Sequence, residues 1–343
     1  MTAQQAIEYL VALQAQDVMP PYTGLWSRLQ KFRPEDINNG LLDRTLVRAT
    51  SLRPTVHLTT RRDLLKLLPI MLPGYVRMAQ APTSIGGLFS RNDITDVTTW
   101  ANRLMDDTER GAEEMRERAR IDWPEEDPQL LASAVQWILP LCQVPPRGLW
   151  KTNARPRWAL ADQWLGESLD TSCNLEDLIL RYIRAFGPMA AGDIQSWSRL
   201  TGLKPVIDSL RPQLRTLVDE AGRELLDLPE SPWPAESTAA PVRLLGAYDN
   251  LWLAHKDRSR ILEERHRLLI MNNGIGRPPV LVDGFIAARY RIDVKKHRAI
   301  LTIQPFRELT VLEQRHVAAE ANLLIDWIEP DLDHEVLFNP IIS

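Results

Sequence analysis

The stretch "NLEDLILRYIRAFGPMAAGDIQSWSRLTGLKPVIDSLRPQLRTLVDEAGRELLDLP", residues 174–229, decides how the chain is read. Asn174 stands before an apolar-periodic run and predicts a helix to Phe186. Gly187-Pro188 turns the chain, and "MAAGDIQSWSRLTG" predicts a second helix that stops at Gly202. "LKPVIDSLRPQL" predicts a third, with Pro205 near its start. Thr216–Val218 and Glu224–Leu228 then flank an Asp-Glu-Ala-Gly-Arg turn, which reads as a hairpin. Helix, turn, helix, helix, wing is the order of a winged helix-turn-helix module. An α+β domain that uses the motif only for packing has the same order.

The same order recurs upstream. Residues 3–13 read as a helix, "PPY" at 20–22 as a break, and "TGLWSRLQKF" (23–32) as a second helix. "RPEDINNGLL" (33–42) reads as a third, with Pro34 in its first turn. "TLVRATSLRPTVHLTT" (45–60) switches to β-branched, roughly alternating residues and predicts two strands around a turn. Helix resumes over 61–79, in a long charged segment over 95–120, and over 129–139. "PRGLW" (146–150) lies in a strand pair or connector, and "DQWLG" (162–166) closes the segment.

Downstream, "PESPWPAESTAAP" (229–241) has the composition of a linker. Beyond it, "PPVLVDGFIAARYRID" and "HRAILTIQPF" predict strands with a turn at Asp283-Gly284, and Arg307–Leu323 an amphipathic helix. The expected architecture is α+β. A first winged-helix module covers 1–80, a helical connector 81–170, a second winged-helix module 171–230, and a β-rich, barrel-like region 241–343.

With 343 residues, 44% of them hydrophobic, the chain is long enough for several domains with their own cores. No apolar run reaches the roughly 18 residues of a membrane span. The first residues lack a basic-then-apolar signal, and Cys142 and Cys173 have no motif spacing. A cytoplasmic protein without a disulfide framework is expected. The net charge of −4 conceals segregation: 28–66 carries +5 and 255–298 carries +6, against −6 over 106–127 and −7 over 308–343. Such segregation places local basic surface on an acidic protein, or merely alternates solvated helix faces.

Several chemistries have no footing here. "GIGRPP" (274–279) lacks the third glycine of a dinucleotide fingerprint and precedes a strand rather than a helix. There is no phosphate loop and no GxSxG. The six histidines have no partners at metal-ligand spacing, so no metal or cofactor is expected. One anomaly remains. In "YLVALQAQD" (9–17), the apolar stripe of Ile7, Leu10 and Val11 should continue near residue 14, and Gln14 stands there, with Gln16 two further on. In a helix, residues two apart face away from each other; in an extended segment they point the same way. Asp17 and Pro20-Pro21 suggest that the helix is ending. The two carboxamides then either satisfy backbone groups at a helix end or line a neutral polar pocket.

Taken in order, "LQAQD", "LWSRL", "LVRATSLRPTVHL", "PRGLW", "WLG", "GDIQSWSRLTGL", "GRELLDLP", "AYDNLWLAHKDRSRIL" and "RPPVLVDGF" resemble the AlkZ/YcaQ-type winged-helix DNA glycosylases over about residues 4–325. The resemblance implies tandem winged helices and a β-rich part around a DNA-binding channel. It implies monofunctional excision of bulky or N7-alkylated purines, with crosslink unhooking in some members. It implies a monomer acting on duplex DNA that contains alkylated bases. The alternative class is a winged-helix DNA-binding protein without catalysis, a regulator or a sequestering protein.

The family's Gln-apolar-Gln motif is matched by Gln14-Ala15-Gln16, which implies that Gln14 and Gln16 are catalytic. Arg53, Thr55 and His57 match a pocket segment, with Pro54 where the family commonly has glycine. By the same resemblance Arg48, Lys256, Arg258, Ser259, Arg277 and Arg289 are the DNA-contacting candidates.

Overall fold

The computed structural model describes residues 1–81 and 85–342, and these form two compact units. One comprises residues 1–18 and 32–229, the other residues 19–31 and 230–343. Both mix helices and sheets, so the chain is α+β.

The first unit is built on a six-stranded antiparallel sheet. Its strands run in the order Leu13–Gln14, Thr55–Thr60, Leu46–Leu52, Leu141–Gln143, Arg157–Leu160, Arg110–Gly111. The helix Arg61–Ala79 follows directly, its first turn capped by Thr60. Its buried Leu64, Leu65 and Leu68 meet Val47, Ala49 and Cys142 of the sheet. Pro69 and Pro73 lie inside this helix without ending it. A second core, around Trp100, Met115 and Leu131, joins the helices Ile94–Met105, Ala112–Asp122 and Pro128–Ile138. The single helix expected over 95–120 is thus two, because Asp107 adopts φ 46° and Arg110–Gly111 pairs as a strand.

Residues 174–227 fold as the helices Leu175–Phe186, Ala191–Ser198 and Lys204–Leu210, followed by the hairpin Arg215–Val218/Glu224–Asp227. Asn174 caps the first helix through the Asp177 N–H. Tyr182 stacks on Trp197 at 4.1 Å between centroids, joining the first two helices. The second helix stops at Ser198, short of Gly202, because Arg199 turns left-handed at φ 61°. Arg181 fastens this module to two helices of the unit: it grips the buried Asp63 of helix Arg61–Ala79 with both Nη atoms, at 2.7 and 2.8 Å, and donates to Glu8 O of helix Ala3–Tyr9.

The second unit holds a five-stranded sheet in the order Asp333–Phe338, Arg298–Pro305, Phe285–Lys295, Pro279–Val282, Arg243–Leu244. The Asp283-Gly284 turn has φ 51° and 78°, as a two-residue hairpin requires. The edge strand Asp333–Phe338 is parallel to its neighbour and was not anticipated from the sequence. The two outermost strands do not pair with each other, so the sheet is a half-barrel rather than a closed barrel. Helix Val311–Ile328, opened by the Thr310/Glu313 capping box, buries Val317, Ala321, Leu324, Ile325 and Ile328 at helical spacing.

The chain places Met19–Trp26 in this second unit as a helix. The prolines read as a break, Pro20 and Pro21, occupy its first turn, where the missing N–H groups are not needed. Gly246 lets this helix come close: a Cβ there would stand 2.6 Å from Pro20 O. Arg28 then donates to both oxygens of Asp249, at 2.7 and 2.6 Å.

Asp249 is 2% exposed at its side chain, and its Oδ1 also caps the short helix Asn250–Leu253. Arg28→Ala would leave that carboxylate buried without its cation, and a loss of about 3 kcal/mol is expected. Denaturant unfolding followed by tryptophan fluorescence measures it, and a loss within about 0.5 kcal/mol would mean that the pair contributes no more than an exposed one.

Candidate functional site

The candidate site starts where the first helix ends. Helix Ala3–Tyr9 stops four residues short of the expected end at residue 13. Val11 takes φ 67°, a left-handed conformation rare for a β-branched residue. Thr59, fully buried, holds it by donating Oγ1–H to Val11 O at 3.0 Å. The chain leaves this turn extended. Leu13 pairs with Leu58 and Gln14 with His57, and Ala15 N–H donates to Val56 O at 2.7 Å.

Residues 14–16 are therefore not helical, and the two glutamines lie on one side. Gln14 Nε2 donates to Gln16 Oε1 at 3.2 Å. Gln14 is 7% exposed, whereas Gln16 opens to solvent. Arg53 Nη2 donates to Gln14 Oε1 at 2.9 Å and to His57 Nε2 at 3.2 Å. His57 Nδ1–H donates to Thr55 O at 2.8 Å.

These bonds settle every ambiguous group. A guanidinium only donates, so Gln14 turns its oxygen to Arg53 and its NH₂ to Gln16. Gln16 must then present its oxygen to Gln14. A carbonyl only accepts, so the His57 proton is on Nδ1 and Nε2 is the acceptor. Burial first, and then the Arg53 charge, hold the His57 imidazole well below the ordinary value of 6.5, against the Thr55 bond. The ring is neutral, and its free lone pair is already engaged.

Arg53 itself is fixed from several sides. It has φ 49° in the turn between the two strands, and Tyr75 donates its O–H to Arg53 O at 2.7 Å. Burial raises the Tyr75 phenol above its ordinary value, so it remains a donor. Arg53 Nη1 reaches Trp197 O, at the end of helix Ala191–Ser198, at 3.4 Å. Thr55 contributes through its carbonyl, while its hydroxyl donates to Leu52 O.

Two more arginines hold the backbone between the glutamines. Arg48, 2% exposed, donates Nη2 to Ala15 O at 2.5 Å and Nε to Gln143 Oε1 at 3.4 Å. The expectation that Arg48 contacts DNA is corrected: its guanidinium is buried inside the protein, where it fixes Ala15. Arg147 donates Nη2 to Gln16 O at 3.2 Å and Nη1 to Ala154 O at 3.1 Å. Gly148 makes room for this. Its φ is 101°, and a Cβ there would stand 2.2 Å from Arg48 Cδ. Arg147, Gly148 and Tyr75 were missed as site residues; "PRGLW" was the one visible sign, and nothing in the sequence ties it to residues 14–16.

The remaining candidates lie in the second unit. Lys256, Ser259 and Arg277 are exposed. Arg258 is half-buried, donates Nε to Trp252 O at 2.9 Å, and lies over the Trp252 ring at 4.5 Å. Arg289 is half-buried and donates Nη1 to Leu269 O at 2.9 Å. Burial, and then the neighbouring charge of Arg267 or Arg277, lower the pKa of Arg258 and Arg289 respectively.

A family model described as "DNA glycosylase AlkZ-like" matches residues 7–327. Among solved structures, a DNA glycosylase AlkZ from Streptomyces sahachiroi is similar, with a TM-score of 0.75 at 19% identity. The match covers 100% of this chain and 94% of that one. A comparison with curated proteins returned no significant match.

Two outcomes follow from the geometry. Gly148→Ala combines a disfavoured φ with a collision against Arg48, and a loss of about 2 kcal/mol is expected in denaturant unfolding. His57 stays neutral in the fold but gains a proton near 6.5 when unfolded. Its contribution is complete above that value and is lost as pH falls, by up to about 1.4 kcal/mol per pH unit. Midpoints measured from about pH 7.5 down to about 5.0 should therefore fall less steeply in His57→Gln. An identical slope would show that the ring titrates alike in both states.

Proposed function

The chain belongs to the AlkZ-like DNA glycosylase family, and from that premise we propose that it hydrolyses the N-glycosidic bond of bulky or N7-alkylated purines in duplex DNA, including crosslinked ones. The observation that carries this reading is the bonded pair of carboxamides, Gln14 and Gln16, oriented by Arg53 and open to solvent at Gln16. Each glutamine oxygen already accepts one hydrogen bond and has a second lone pair for a water.

An N7-alkylpurine carries a positive charge. The C1′–N9 bond breaks with its electron pair returning to the base, which leaves neutral and needs no proton. The water oxygen bonds to C1′ of the oxocarbenium-like sugar, and its proton passes to solvent. Products are the free base and an abasic site. The two amides orient the water by accepting its hydrogens, which favours geometry over basicity. His57 is no general base in this scheme, because its Nε2 accepts from Arg53. The Arg53 cation does not oppose the step itself: positive charge moves from base to sugar without increasing.

In this reading residues 174–227, and within the same unit the helices Ala3–Tyr9 and Glu35–Leu42 with the hairpin Leu46–Leu52/Thr55–Thr60, bind DNA. Lys256, Ser259 and Arg277 contact phosphates, and Arg258 and Arg289 brace the same face from half-buried positions. Removing a phosphate contact should weaken binding uniformly and flatten its salt dependence.

The test is base release from duplex DNA bearing N7-methylguanine, read by chromatography of the free base. Wild-type protein should release it, and Gln14→Ala and Gln16→Ala should each slow release about 100-fold or more while leaving DNA binding unchanged. Undiminished release in both variants removes the catalytic role. Tight, salt-sensitive binding with no release by the wild type favours the non-catalytic DNA-binding alternative.

A further inference from the structure

Away from the glutamine pair, the first unit contains a cavity of about 620 Å³ between helices Ile94–Met105 and Ala112–Asp122. That volume is in the range of small-molecule sites. Asp96, Thr99, Trp100 and Arg103 recur at helical spacing and line it from one helix. Arg110, Arg118, Asp122 and Trp123 line it from the other side, the Asp122 carboxylate being taken up by Arg118.

The arginines of this region are unequal. Residues 106–127 carry a net charge of −6, and the surrounding arginines are paired. Arg91 holds Glu126, Arg116 and Arg120 share Glu113, and Arg157 bridges Glu109 and Glu114. Arg118 binds Asp122, which also accepts the Trp100 indole N–H at 2.9 Å. Two arginines stand apart. Arg103 has no hydrogen bond or ion pair with any described residue, and it faces the cavity. Arg110 donates Nε to Leu104 O at 2.6 Å; its charge acts on Glu114, which Arg157 holds, but it makes no salt bridge with a described residue. Carboxylates are plentiful nearby, so a guanidinium without a partner at Arg103, beside an Arg110 that makes no salt bridge, marks a place prepared for an anion from outside.

The rest of the lining adds a second requirement. Trp100 and Trp123 meet edge to face, with centroids 6.3 Å apart and planes at 76°. Asp122 fixes the Trp100 indole through its N–H, and Trp123 is half-buried, so the pair forms a firm aromatic wall. Asp96, without a hydrogen-bond partner among the described residues, lies seven residues from Arg103, about 10 Å along the helix axis. The cavity thus offers cations at one end, aromatic surface between, and an acceptor at the other end.

We propose that this cavity binds a nucleoside 5′-monophosphate unit, with the phosphate on Arg103 and Arg110, the base against the tryptophan wall, and base N–H donors toward Asp96. Guanine, with adjacent N1–H and N2–H₂ donors, matches a carboxylate best. The same unit arrives either as a free nucleotide or within a DNA strand. This binding does not depend on the glycosylase reading.

Isothermal titration calorimetry of the full chain tests it with three probes: guanosine 5′-monophosphate, inorganic phosphate, and a six-nucleotide single-stranded oligonucleotide. The mononucleotide should saturate one site. Arg103→Gln, an exposed change whose folding is checked by its unfolding midpoint, should weaken it about tenfold or more. Arg116→Gln, which alters a paired arginine, should leave it unchanged. Trp123→Ala should weaken the nucleotide and not phosphate. Arg103-dependent binding of the oligonucleotide alone would assign the site to a strand, and of the mononucleotide alone to a free ligand. Absence of saturable heat with both nucleotide probes, equal affinity in Arg103→Gln, or phosphate binding as well as the nucleotide overturns the proposal.

Discussion

The candidate site depends on one register: Gln14 opposite His57. Strand side chains alternate with period two, so a slip of one residue would put Ala15 where Gln14 stands. The strand is only Leu13–Gln14, too short to fix that register by its own ladder. Other groups do so. Val11, turned left-handed and held by Thr59, sets where the strand begins. Arg48 on Ala15 O and Arg147 on Gln16 O fix where it continues. Because backbone carbonyls are the groups these two arginines hold, the glutamine side chains stay available to each other, and Gln16 to solvent.

The electrostatics are equally economical. Arg53 is the only cation bonded to the carboxamides among the described contacts, and it orders a whole chain of hydrogen bonds. From it the orientation of Gln14, then of Gln16, and the tautomer of His57 all follow. Buried hydrogen-bond chains polarise in one direction, so each member restricts the next. Burying Arg53's partners among neutral groups also suppresses titration: the imidazole stays uncharged and the Tyr75 phenol stays protonated. Such a site keeps one protonation state at neutral pH.

Much of the fold was legible because its signals are local. Asn174, Thr310 with Glu313, and Asp283-Gly284 each specify a cap or a turn within a few residues. The misread elements involve relations at a distance. The end of the first helix is set by Thr59, far along the chain. Pro20-Pro21 reads as a break unless one knows that a helix begins at Met19. The strand Asp333–Phe338 is polar at its start, lies on an edge, and pairs in parallel with a strand already used, so alternation alone does not announce it. For the candidate site, the Gln14-Ala15-Gln16 anomaly and the Arg53-to-His57 segment were visible. Burial was not, and Arg48 therefore looked like a surface cation when it is a brace.

The proposed chemistry and the observed construction constrain each other. Two amides fixed by a cation are poor bases, and the one imidazole within reach has its acceptor nitrogen occupied. A nucleotide that needs its base protonated, or its water deprotonated early, finds neither service here. A base that already carries its leaving charge needs only a water held in line with C1′, and positional accuracy becomes the main contribution of the protein. On the proposed chemistry, that is the use of the hydrogen bonds held on Ala15 O and Gln16 O. A general base tolerates some displacement because proton transfer is driven by affinity. A positioned water has no such reserve, so accuracy must come from braces such as Arg48, Arg147 and the glycine that admits them.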